Sequence, residues 1–209
     1  MAAGVTLLAV FGVVACRSRT APDVGTATVT ALVSPSDRPL APAVAASVPV
    51  SDGRPARDAG AGAPARLRVP ALELDAPVAA VGIDPATGEV DVPEDVGRVG
   101  WYRFGPGLSA TAGSIVVAGH VDSARQGRGA FFRLGSLTPG DRVTLTGPGG
   151  ASRDFEVVAR ERYAKTAIPL QRYFARDGSP RLTLITCGGP FDAATRHYRD
   201  NVVVTAVPR

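Results

Sequence analysis

The sequence predicts an all-β domain, a sandwich or a barrel, preceded by a long N-terminal extension. Three observations lead there. Short β-branched and apolar runs recur through residues 66–209, separated by clusters of Gly, Pro and Asp. Most alternate with a period of two, and none sustains the 3.6-residue period of a long amphipathic helix. The length, 209 residues, suits one domain of ordinary size plus appendages.

In chain order, residues 2–15 are apolar and uncharged, and Cys16, Arg17, Ser18 and Arg19 follow. Such a run falls short of the roughly 20 residues of a membrane span. It suits a signal-peptide core, although the usual positive region before it is missing. Val13, Val14, Ala15 and Cys16 also look like a lipoprotein processing site, which would attach lipid to Cys16. A transmembrane anchor with its start upstream is the third reading. Residues 1–16 are thus expected to export the chain and hold it at the membrane. Residues 17–65 contain no aromatic residue and carry Pro22, Pro35, Pro39, Pro42, Pro49, Pro55 and Pro64. That composition cannot bury enough apolar surface to offset its ordering entropy, so a disordered, semi-extended spacer is expected.

The folded domain is expected to span residues 66–209. Arg66, Leu67, Arg68 and Val69 alternate, and residues 72–78 alternate again, as half-buried strands do. Residues 84–88 form a turn cluster before the run 89–93. Residues 97–104 hold the only tryptophan, Trp101, with Tyr102 and Phe104. Residues 114–120 make a buried-strand pattern that closes on His120. Residues 131–134 suit one helical turn, and residues 138–141 are a turn before the strand 142–146. Residues 155–160 give another strand and residues 169–176 a short helix. The run 182–186 then ends on Cys187, where Gly188 and Gly189 are expected to break the strand. A last run extends from Arg199 through Thr205.

A thiol at a strand exit is weak on its own, because free cysteine behaves as a small buried hydrophobe. The chain has only two histidines, and one of them, His120, also closes an apolar run. With Arg199 opening the last run, three strand ends carry complementary chemistry. Thiol catalysis needs a cation or base to hold the thiolate and an acid for the leaving group. Cys16 lies in the leader, so the domain carries a single cysteine and no internal disulfide is expected. No His/Cys/Asp cluster has metal-ligand spacing, and no Gly-rich loop opens a helix, so neither metal nor nucleotide cofactor is expected. The formal net charge is +4, but residues 66–209 hold 18 basic and 15 acidic residues without a basic run. A nucleic-acid partner is therefore not expected. Arginine outnumbers lysine 22 to 1, which reads as a compositional bias.

Thr-Leu-Ile-Thr-Cys ending on Cys187, Ala-Gly-His ending on His120, and Arg199 twelve residues after the cysteine together resemble a sortase. Cys-Gly-Gly-Pro-Phe-Asp and the closing Tyr-Arg-Asp-Asn-Val-Val-Val are most similar to the actinobacterial class F group. The resemblance covers residues 66–209. It implies a closed β-barrel of about eight strands with one or two short helices, and a monomeric cysteine transpeptidase on the outer face of the membrane. It further implies an LPXTG-like sorting signal cut between Thr and Gly, and a peptidoglycan-precursor amine as acceptor. Cys187 would be the nucleophile, His120 the acid and base, and Arg199 the oxyanion or substrate-strand contact. Thr186, Gly188 and Gly189 would support the oxyanion or let the peptide approach. An L,D-transpeptidase would carry Ser-His-Gly before its cysteine, where Leu184, Ile185 and Thr186 stand. A papain-like or NlpC-like peptidase would place the cysteine before its histidine. A non-catalytic wall-binding barrel would need no thiol.

Overall fold

The structure, a computed structural model, describes residues 22–33, 62–85 and 88–209. The expected leader 1–16 and most of the spacer 17–65 lie outside the described residues. Eight strands close into a barrel: β1 (Arg66–Val69), β2 (Leu74–Val81), β3 (Val99–Tyr102), β4 (Ser114–Gly119), β7 (Arg142–Thr146), β8 (Ser152–Ala164), β9 (Arg181–Asp192) and β10 (His197–Pro208). Their order around the barrel is β1-β2-β3-β4-β9-β10-β8-β7. Closure leaves these strands without a continuous open edge. The pairs β2/β3 and β4/β9 are parallel, and the others antiparallel. A small hairpin of β5 (Asp122–Ser123) and β6 (Gly127–Arg128) stands apart, and two short helices, α1 (Thr26–Val33) and α2 (Leu170–Tyr173), complete the described elements.

Period-two alternation fills the barrel. Leu67, Val69, Val143, Leu145, Phe155, Val157, Leu182, Leu184, Val204 and Ala206 point inward and are fully buried. Ile185 and Val203, one residue out of phase, join a second apolar cluster on the outer face with Ala159, Tyr173 and Val29. That cluster lies under α1 and α2, next to the end of the barrel where the thiol sits.

The structure departs from the sequence-based expectations in four places. Residues 22–33 are not free spacer. Val24 bridges Arg160 of β8, the Arg162 N–H donates to Asp23 Oδ1 at 3.0 Å, and Val29 of α1 is fully buried. The cause is topological: β7 pairs β8 only up to Glu156, so the outer half of β8 leaves backbone groups that the segment satisfies. Run 89–93 forms no strand and contributes one bridge, Ile83 to Val90. Residues 131–133 are a turn that leads into a 3-10 turn, Leu134–Ser136. Most important for the site, β9 does not stop at Cys187.

Candidate active site

The parallel register of β4 and β9 ends with Ala118 opposite Ile185. Two residues further on each strand stand His120 and Cys187. Asn201 of β10 pairs with Cys187, and Tyr163 of β8 pairs with Asn201. Alternation from Ile185 and Val203 puts Cys187 and Asn201 on the outer face. Both His120 and Cys187 open onto one groove of about 710 Å³. One wall is the β5–β6 hairpin with Asp122, Arg128 and Phe132. The opposite wall is the hairpin tip of β9 and β10, with Phe191, Arg196, His197 and Tyr198. Lys165, one residue past β8, closes the third side. Tyr198 donates its hydroxyl to Asp122 Oδ2 and so joins the two walls. That bond, with partial burial, pushes the Tyr198 phenol up to about 12.

His120 is held from three sides. Its Nε2 lies 3.1 Å from the Pro93 carbonyl oxygen. A carbonyl can only accept, so Nε2 carries a hydrogen and Nδ1 is the nitrogen left to exchange a proton. The Phe131 N–H donates to the His120 carbonyl at 3.0 Å. Just before it, the Gly119 carbonyl accepts from Thr186 Oγ1 at 2.8 Å. Glycine is required on both flanks: a Cβ at Gly119 would meet the Phe131 ring at 2.8 Å, and one at Gly129 the His120 carbonyl oxygen at 2.3 Å.

The Cys187 thiol is half-buried, and burial pushes its pKa above the ordinary thiol value. Lys165, a cation on the same groove, opposes this with its charge, whereas Glu89 and Asp122 add to the upward push. The balance favours a neutral thiol at rest.

The other expected site residues take different places. Gly188 and Gly189 do not break the strand. β9 runs on to Asp192 opposite β10, and the register slips between Tyr198 and Asp200, so Arg199 occupies a β-bulge. Gly189 has φ +74°, and a Cβ there would lie 2.1 Å from Asp200 Oδ2, while one on Gly188 would strike Val202 at 2.7 Å. Both glycines make room for β10. Thr186 is 4 % exposed, and its hydroxyl is spent on the Gly119 carbonyl, so it braces the strand before His120. Arg199 is not brought into the groove lining. Its guanidinium lies 3.1 Å from Asp192 Oδ2 at the exposed rim, because the bulge turns it toward the hairpin tip. Arg196, in the left-handed region at φ 58°, lines the groove instead. Lys165 was missed as a site residue, although its being the one lysine in the chain was the available signal. Among the described residues no group of His, Cys, Asp and Glu is placed to hold a metal ion.

The family described as the sortase domain matches residues 67–209, well over half of the sequence. The chain belongs to the sortase family. Sortase A from Corynebacterium diphtheriae aligns at TM-score 0.51 and 21 % identity over 70 % of this chain and 60 % of that one. Its lid mutant aligns at 0.53 and 22 %, over 77 % and 74 %. Sortase C1 from Streptococcus agalactiae aligns at 0.53 and 18 %, over 69 % and 66 %. At such identities the likeness is one of fold, and this sortase spans about three fifths of the length of the C. diphtheriae sortase A chain. No curated protein matches the sequence. Sortases are cysteine transpeptidases, and the groove of this one is lined by both a thiol, Cys187, and an imidazole, His120. No helix among the described residues is long and apolar enough to cross a membrane.

Proposed function

We propose that this sortase is an extracytoplasmic transpeptidase that cleaves an LPXTG-like sorting signal between Thr and Gly and transfers the protein to a cell-wall amine. The observation that supports this reading is that His120, just past the end of β4, and Cys187, on the parallel neighbour β9, line one open groove. The Cys187 sulfur attacks the Thr carbonyl carbon, and its proton passes to His120. The C–N bond breaks as the imidazolium protonates the departing amine, leaving a thioester on Cys187. The acceptor amine then attacks that thioester and gives its proton to His120, the C–S bond breaks with the electron pair on sulfur, and His120 returns the proton to restore the thiol. Arg199 is assigned to the peptide: once released from Asp192 it binds a substrate carbonyl, with its planar fork suited to that contact. Phe132 and Phe191 are 40 % and 55 % exposed at the groove and offer it apolar surface. The class F likeness rests on the Cys-Gly-Gly-Pro-Phe-Asp run at Cys187. Residues 1–16 provide export and attachment, and the domain works as a monomer at the outer membrane face.

The test is mass spectrometry of the protein with LPXTG-type peptides, with and without an amine acceptor. A cleaved peptide without acceptor, an acyl–amine product with it, and neither product with Cys187→Ala are the expected results. Turnover near the wild-type rate by a folded Cys187→Ala protein removes the thiol from the reaction, and with it this reading.

A further inference from the structure

Three basic side chains around the groove and its rim already have other partners. His120 directs Nε2 at the Pro93 carbonyl, Arg199 pairs with Asp192, and Arg128 lies 4.6 Å over the Phe132 ring. The β8 side of the groove supplies a fourth. Glu161 and Tyr163 alternate on the outer face of β8, and two residues on comes Lys165. Tyr163 pairs with Asn201, the residue opposite Cys187, which places the root of Lys165 across β10 from the thiol. The Lys165 N–H donates to the Arg199 carbonyl at 3.0 Å, fixing that root against the bulge. From there the side chain lines the groove together with Cys187.

We propose that Lys165 is a further catalytic residue of this sortase, its ammonium set against Cys187 Sγ to hold the negative charge that the sulfur carries before attack and again when it leaves the thioester. The proposal rests on the reading of Cys187 as the nucleophile. A thiol pressed upward by burial, with Glu89 and Asp122 adding to the push, needs a compact cation in contact to ionise. An ammonium is such a point charge, and this is the only one that any side chain of the protein can provide. Arg196, Arg128 and His197 also face the groove, but the cation whose charge draws the thiol pKa down against burial is Lys165. No bond is made or broken to Lys165, and its proton stays in place throughout.

The test needs no sorting peptide. The rate of iodoacetamide alkylation at Cys187 is followed against pH by mass spectrometry of its peptide, so that Cys16 does not interfere. Wild type is compared with Lys165→Met, Lys165→Gln, Lys165→Arg and His120→Ala. Loss of the cation is expected to slow alkylation at pH 7 by roughly tenfold, moving the profile to higher pH in the Met and Gln variants, because an adjacent opposite charge favours the thiolate. Lys165→Arg should recover most of the rate. On a cleavable peptide, Lys165→Met should lower kcat with little change in KM. A profile in folded Lys165→Met and Lys165→Gln that coincides with wild type overturns the proposal. So does a shift seen with His120→Ala alone, which would give the thiolate to the imidazole. Either result leaves the Cys187→Ala test of the nucleophile standing by itself.

Discussion

Replacing Gly129 by alanine should damage catalysis far more than folding. The added methyl would lie 2.3 Å from the His120 carbonyl oxygen and 2.8 Å from its carbonyl carbon. Ordinary contact begins near 3.4 Å, so one of the two backbones must yield by about 1 Å. Neither atom can rotate away, as the end of a flexible side chain would. The turn that carries Gly129 is tied to the same place, by Gly129 N–H to the Val121 carbonyl and Phe131 N–H to the His120 carbonyl. The displacement therefore passes into the imidazole. A misplacement of about 1 Å in a reacting group costs on the order of 100-fold in rate. The matching stability loss is that of overpacking, about 1–3 kcal/mol. The assay pairs kcat/KM on a cleavable peptide with urea denaturation, using Gly127→Ala as the comparison. Gly127 has φ +77° and nothing within 4 Å of its Cβ position, so that variant should lose about 1 kcal/mol and keep its turnover. A folded Gly129→Ala protein with full turnover would refute the claim that this turn positions His120.

Three further outcomes are expected. Val29→Ala should cost about 2 kcal/mol in urea denaturation, because Val29 is fully buried against Ala159, Tyr173 and Val203; no measurable loss would mean that residues 22–33 do not dock. Tyr173→Phe should cost about 1–3 kcal/mol, since the hydroxyl donates at 2.7 Å to Glu161, a carboxylate only 1 % exposed, and calorimetry would read this as a lower Tm without loss of kcat. Arg199→Ala should lower turnover by roughly 100-fold and Arg196→Ala by less than about tenfold, because the proposed function gives the contact to the substrate carbonyl to Arg199; the opposite order in a single-mutant series would move the role to Arg196.

The barrel was legible because it follows from alternation. Leu67 and Val69, Val143 and Leu145, and Leu182 and Leu184 each point inward at the phase their neighbours dictate. His120 and Cys187 were legible as candidates for the same reason, as polar endings on apolar runs, and both line the groove. The course of β9 beyond Cys187 was not. Gly188 and Gly189 are turn-formers by local preference, but here they clear space for Val202 and Asp200 of β10, the strand that folds back along β9. A bulge that turns Arg199 toward Asp192 is a property of two paired strands, and no single run encodes it. Docking of residues 22–33 was hidden because its cause lies in β8, whose outer half finds no partner in β7. Lys165 was visible as a count, yet only the strand register puts it beside the thiol.

That solitary lysine bears on what the protein cannot do to itself. An acyl group held as a thioester and awaiting an amine is open to capture by any primary amine within reach. Here 22 of the 23 basic side chains are guanidinium groups, which are far poorer acyl acceptors than an amine. The remaining basic side chain is Lys165, which lines the groove with Cys187. Under the proposed function, a surface written in arginine leaves few side-chain amines through which copies of the protein could be joined to one another.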